Sequence, residues 1–247
     1  MARAAAPRAS ARGSGCAIRA LQRPSHPQLN ESKKGPHVPP HVQRQQATQI
    51  LAADIGRLLQ QTLQRFAASE SEAPQLWVDA AAPPIAPARL ARMHPGGRKA
   101  QQQAEQLYLR CLSQYRQSVR PQDLRRGQDD VAAALAFFVA ASCRAHQGVE
   151  VEAAALRAVE RQMGRILCLS ERWHGAELTE KQCYVEQSAV LGVLMADSWT
   201  QARPAGGAAV SNVRRAARSY LGQLVGLDPA RITLGPQGLA LRDAITH

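Results

Sequence analysis

The sequence predicts an all-α fold, an irregular antiparallel bundle of five to six helices around one central apolar helix at about 128–147. Three observations carry this expectation. Apolar residues recur at helical spacing in successive segments, clusters of Pro and Gly separate those segments, and Val131–Ala141 is an uninterrupted apolar run of eleven residues. A helix apolar on nearly every side must be surrounded by others. The core has a particular composition too: 45% of residues are hydrophobic but only 4% aromatic, so Ala, Leu and Val must fill it.

Charge is unevenly placed along the chain. The net charge is +12, and residues 1–40 hold seven Lys/Arg against the single acid Glu31. That stretch also contains Pro7, Pro24, Pro27, Pro36, Pro39 and Pro40, and it cannot bury enough apolar surface to offset the entropy of ordering. The sequence therefore predicts a disordered basic arm over 1–40, a leader, a transit segment or a phosphate-binding tail. His37 and His41 have the i, i+4 spacing of a helical metal pair, but Pro39 and Pro40 between them forbid the helix.

Residues 41–68 place Leu51, Ile55, Leu58, Leu59, Thr62 and Phe66 on one stripe, an amphipathic helix. Residues 69–99 read as a Pro/Gly-rich linker with one short apolar group, Leu76-Trp77-Val78, able to dock on the helical domain expected at 100–240. Ala104, Leu107, Tyr108, Cys111, Leu112 and Tyr115 give a full helical match over 100–119, ended by Pro121. Asp129 or Asp130 caps the central helix and Gly148 stops it. Leu156, Val159, Met163, Ile166 and Leu167 face inward from a helix over 151–173. Thr179-Glu180-Lys181-Gln182 has the form of a capping box and opens a helix to about Ala202. A last long helix covers 208–225, with Gly226 at its end. Asp228-Pro229 then allows one helical turn at most, and Ile232-Thr233-Leu234 a short extended piece.

Chemistry is sparse. No Walker loop, HExxH helix, EF-hand loop, hydrolase elbow or dinucleotide-binding glycine pattern occurs, and no cofactor or metal is expected. Five cysteines (Cys16, Cys111, Cys143, Cys168, Cys183) contain no C-x-x-C pair; the four inside predicted helices read as reduced core residues, with a disulfide between packed helices as the alternative. Asp130, His146, Tyr184 and Glu186 are the candidate catalytic groups if an enzymatic site is assembled between helices. Arg125 and Arg126 on a loop, with Arg214, Arg215 and Arg218 on the last helix, are candidate anion contacts. Neither basic group carries the interleaved aromatics that stack bases.

Asp129–Phe138, Lys181-Gln182, Ala216–Leu221, Gly226–Pro229 and Gln237-Gly238-Leu239 together resemble an uncharacterised bacterial helical family, a domain of unknown function, over about 100–240. The resemblance implies an all-helical fold and often an exported protein, and it supplies no activity. No apolar run approaches the roughly twenty residues of a membrane span. The N-terminus lacks the apolar region of a secretory signal. The compartment stays open: the missing signal favours a soluble, cytoplasmic protein, with periplasmic, secreted and organellar placement as alternatives. The leading functional expectation is a non-enzymatic protein-interaction module with an unknown protein partner. An enzyme with a dispersed site and an RNA-associated organellar component using the basic arm are the rivals.

Overall fold

The computed structural model describes residues 40–65, 76–80 and 83–242, without the side chains of 40–47, 64, 65, 123 and 125. The expectations for the basic arm, for Cys16 and for Phe66 lie outside the described residues. Six long helices form the expected all-α bundle: α1 (Pro40–Arg65), α3 (Arg98–Gln114), α5 (Val131–Gln147), α6 (Ala153–Leu169), α8 (Leu178–Ala205) and α9 (Gly207–Val225). Short helices α2 (Ala86–Arg92), α4 (Pro121–Arg126) and α7 (Glu171–Gly175) link them. Strands β1 (Trp77–Asp79) and β2 (Gln128–Asp130) form one antiparallel pair, β3 (Ile232–Gly235) and β4 (Gly238–Leu241) another.

Helix α5 is the wrapped inner rod. The Asp130 carboxylate accepts from the Ala133 N–H at 3.1 Å, and Gly148 closes the far end at φ 78°. Between these ends Leu135, Ala136, Phe138 and Val139 are fully buried under α8, α6 and α9. Gly192 of α8 marks a close approach of that helix to α5. A Cβ there would lie 2.6 Å from the Phe137 ring and 3.2 Å from the Phe138 Cα.

Helix α1 lies against α9 through a second glycine contact, in which a Cβ on Gly56 would meet the Val225 carbonyl oxygen at 2.7 Å. Gln60 fixes the crossing by donating to the Gly226 carbonyl at 2.6 Å. Leu51, Ala52, Ile55 and Leu59 are buried beneath it.

Several boundaries differ from the sequence expectation, each for an identifiable reason. Gln128–Asp130 are strand, not helix, because they pair with β1 in the register Trp77↔Asp130 and Val78↔Asp129. Pro121 does not simply end a helix; it starts α4, where its missing N–H costs nothing. The helix expected over 151–173 breaks at Ser170, whose hydroxyl accepts from the Trp173 N–H at 3.0 Å and so caps α7. Thr179 is not an N-cap: α8 starts at Leu178, and Gln182, instead of reaching back, points into the core. As expected, no more than a turn follows Asp228, and the extended piece after it is one half of the β3–β4 hairpin. Gln162 of α6 seals that hairpin's edge, its amide accepting from and donating to the Leu239 backbone at 2.8 and 2.9 Å.

Candidate functional site

Two places concentrate polar side chains. The first is a buried knot where α8, α2, β2 and the turn after α3 meet. That turn, Tyr115–Val119, is π-helical, so Arg116 leaves the register that α3 would otherwise continue. Its guanidinium donates to both Asp129 oxygens, at 3.0 and 2.5 Å, and to Glu186 Oε1 at 3.4 Å. Glu186 is fully buried and takes three further donors: the Ile85 and Ala86 N–H groups at 2.6 and 2.8 Å, and Gln182 Nε2 at 3.0 Å. Ile85 supplies no side-chain cap to α2, so Glu186 caps that helix from across the fold. Burial pushes the Glu186 carboxyl up and the four donors offset this in part. Every partner is a donor, so the group works as a carboxylate holding structure together.

The second place is an open groove of about 850 Å³ between α1 and the α7–α8 corner. Ile50, Leu51, Asp54 and Arg57 line one wall, with Leu169, Glu171, Arg172 and Glu180 opposite. The kink at Ser170 creates the corner, and the Ser170 hydroxyl donates to Asp54 Oδ2 at 2.7 Å, tying it to α1. Burial raises the Asp54 carboxyl, but Ser170 and Arg57 outweigh it and hold the group below its ordinary value. Ile50 is 45% exposed and Leu169 58% exposed, and both face the groove.

The four candidate catalytic residues occupy separate places. Asp130 caps α5, while His146 lies near that helix's other end, roughly 24 Å away by helical rise, with Nδ1 3.3 Å from the Arg214 carbonyl. Tyr184 is fully buried and donates to the Leu224 carbonyl at 3.0 Å. Glu186 enters the buried cluster with Arg116 and Asp129, while Asp130 lies beside the Arg120–Glu160 ion pair.

Among the anion candidates, the Arg125 side chain lies outside the described residues. Arg126 sits 4.9 Å above the Trp77 ring, and Arg218 is paired with Asp228 at 3.0 Å. Arg215 reaches Asn212 at 3.5 Å, and the Arg214 guanidinium lies beside Gly148.

Cys111, Cys143, Cys168 and Cys183 are free thiols. Burial pushes Cys111 up to about 11 and Cys143 to about 12, the opposite of an activated nucleophile. Among the described residues no group of three or more His, Cys, Asp or Glu could hold a metal ion, and no helix is long and apolar enough to cross a membrane.

Sequence reasoning missed Arg116, Asp54 and Ser170. Of these, only Ser170 carried a local signal, a capping residue followed by an acid at the first helical position.

No curated protein and no solved structure matches this chain. The model of a family of unknown function (DUF6683) matches residues 2–242, well beyond the stretch that carried the resemblance, and the chain belongs to that family.

Proposed function

We propose that the protein is a non-enzymatic interaction module whose groove between α1 and the α7–α8 corner receives a helical segment of a protein partner. The observation that carries this reading is the pair Ile50 and Leu169, at 45% and 58% exposure on opposite walls of one cleft. Single exposed aliphatic residues are ordinary on a protein surface; two lining the same groove offer an apolar seat. Leu51 and the Asp54–Ser170 tie set the width of that seat without ligand, so little ordering is needed on binding.

The polar rim adds specificity. Arg57 is tied to Asp54 at 2.6 Å, and Arg172 also lies close enough to draw on that carboxylate. Glu171 and Glu180 have no ion-pair partner among the described residues. Both acids stand in the first turns of α7 and α8, where the helix dipole favours them, and both line the groove. A segment with apolar residues on one side and Lys or Arg on the other fits this surface.

The test is Ile50→Asp combined with Leu169→Asp in the full-length protein. Both positions are exposed, so the helical circular dichroism should be retained. The wild-type protein should recover a specific partner from native extract, and the purified pair should associate about tenfold more weakly or worse when the double variant replaces it. A partner bound equally well by both proteins would rule out the groove as its surface.

A further inference from the structure

We infer that the exposed turn at residues 148–150 carries a binding site for a phosphoryl group, with Arg144 of α5, Arg203 of α8 and Arg214 of α9 bordering it and the Glu150 carboxylate as its internal occupant. The site is independent of the groove: Arg203 and the groove's Glu180 stand near opposite ends of α8, roughly 35 Å apart by helical rise. Three helices bring the arginines to one turn. Arg144 stands in the last turn of α5 and Arg203 in that of α8, where each helix's C-terminal dipole favours a cation. Arg214 lies about two turns inside α9, yet its guanidinium borders the same turn, since a Cβ on Gly148 would lie 3.5 Å from Arg214 Nη2. The His146 ring, with Nδ1 3.3 Å from the Arg214 carbonyl, fixes α9 beside the end of α5.

Acid is short at this turn. Arg57, Arg120 and Arg218 each pair with a carboxylate of their own. Here two arginines share one: Glu150 Oε1 accepts from Arg144 Nη2 at 2.7 Å and stands 3.7 Å from Arg203 Nη1. Arg214 has no ion-pair partner among the described residues. The way Arg144 is used shows what is missing. Arg116 grips Asp129 side-on, through Nε and Nη2 together. Arg144 fills only half of the same edge, because its Nε is buried and finds no acceptor among the described residues. Glu150 is 67% exposed, so its hold on the arginines is a surface pair that a stronger anion displaces. A phosphoryl group presents three oxygens and close to two charges. It can therefore fill the Arg144 edge and still meet Arg203 and Arg214, which a carboxylate with two oxygens cannot.

The experiment titrates the full-length protein with pyrophosphate, orthophosphate and acetate by calorimetry at fixed ionic strength. Both phosphates should bind saturably, and acetate about tenfold more weakly or worse. Arg203→Gln and Arg214→Gln should each weaken pyrophosphate binding roughly fivefold, and together roughly twentyfold, the effect of losing one and two partly exposed charged contacts. Glu150→Gln should act in the opposite direction, tightening binding roughly threefold by removing the internal competitor. Arg215→Gln is the control. It removes the same charge one residue along α9, where the side chain reaches Asn212 instead of the turn, and should leave binding unchanged. Arg203 is 69% exposed, so its variant should keep the wild-type circular dichroism and give a reading even if Arg214→Gln disturbs the packing around Gly148. Binding that responds to none of these substitutions would place the phosphate on residues 1–40 and overturn the inference. So would equal losses from Arg214→Gln and Arg215→Gln, or a Glu150→Gln protein that binds no tighter. Acetate bound as tightly as phosphate would overturn the assignment to a phosphoryl group.

Discussion

Arg116 and Glu186 stand 70 residues apart in the chain and meet at 3.4 Å in the interior, with Asp129 held on the guanidinium's other edge. One cation thus serves two carboxylates, one of which also caps α2. Removing a single member of such a set leaves charge buried without compensation, which costs about 3–5 kcal/mol, whereas removing the set together costs far less. We expect Arg116→Met to lower the urea midpoint by the equivalent of about 3 kcal/mol or more. Arg116→Lys should fall between, because a point ammonium cannot hold both Asp129 oxygens in the bidentate geometry.

The dual role of Glu186 gives a second expectation. Glu186→Gln keeps an amide oxygen for the Ile85 and Ala86 N–H groups but turns an NH2 toward Arg116 and Gln182. In a double-mutant cycle with Arg116→Met the two losses should therefore not add, with a coupling on the order of 1–3 kcal/mol. Additive losses in chemical denaturation would show that the two side chains act independently.

The cap of α5 should behave as a local device. Asp130→Ala removes the acceptor for the Ala133 N–H and should cost about 1 kcal/mol, while Asp130→Asn or Asp130→Ser should restore most of it. Thermal unfolding followed by far-ultraviolet circular dichroism measures each. A loss equal in all three variants would show that the cap does not carry the stabilisation; nor would the charge carry it, since burial and Glu160 disfavour it at Asp130.

These residues also show what could be read in advance. Asp130 and Gly148 were legible as the ends of α5 because caps depend on neighbours in sequence and little else. Glu186 was legible as a polar residue on a largely apolar helix, and so as a candidate catalytic group, but not as the cap of α2. Its partners arrive from α2, in a stretch read as linker, and from a π-helical turn that helical spacing continues straight through at Tyr115. Gln182 shows the reverse failure. The capping-box pattern with Thr179 was present, but burial beside Glu186 claimed the amide first. The groove was invisible for a similar reason: it exists because Ser170 splits what periodicity reads as one helix, and the Asp54–Ser170 contact spans 116 residues.

Acid should loosen that corner. The Asp54 carboxyl is held below its unfolded value, so its contribution to stability is present above the ordinary carboxylate range and is lost as pH falls through the folded value. We expect the wild-type urea midpoint to decline between neutral pH and about pH 3, with Asp54→Asn reducing the decline and lowering stability mainly at the neutral end. If Asp54→Asn shifted the midpoint equally at both ends, the tie to Ser170 would be hydrogen bonding without a charge component.

The two glycine contacts should respond differently to the same added methyl group, because their neighbours differ in freedom. At Gly192 the nearest atoms belong to the Phe137 ring, which is only half buried and can swing aside, with backbone at the looser distance of 3.2 Å. At Gly56 all three nearest atoms are backbone, between 2.7 and 2.9 Å, in Val225 and Gly226. Gly192→Ala should therefore cost about 1–3 kcal/mol, and Phe137→Leu in the same protein should recover part of that by shrinking the ring that blocks it. Gly56→Ala has no side chain to trim, so α1 must lift from α9, breaking the Gln60 contact with the Gly226 carbonyl and exposing Leu51, Ile55 and Leu59. Its signature is faster hydrogen exchange along α1 with α5 still protected. Uniform destabilisation of the whole protein by Gly56→Ala would mean that α1 unfolds with the bundle as one unit.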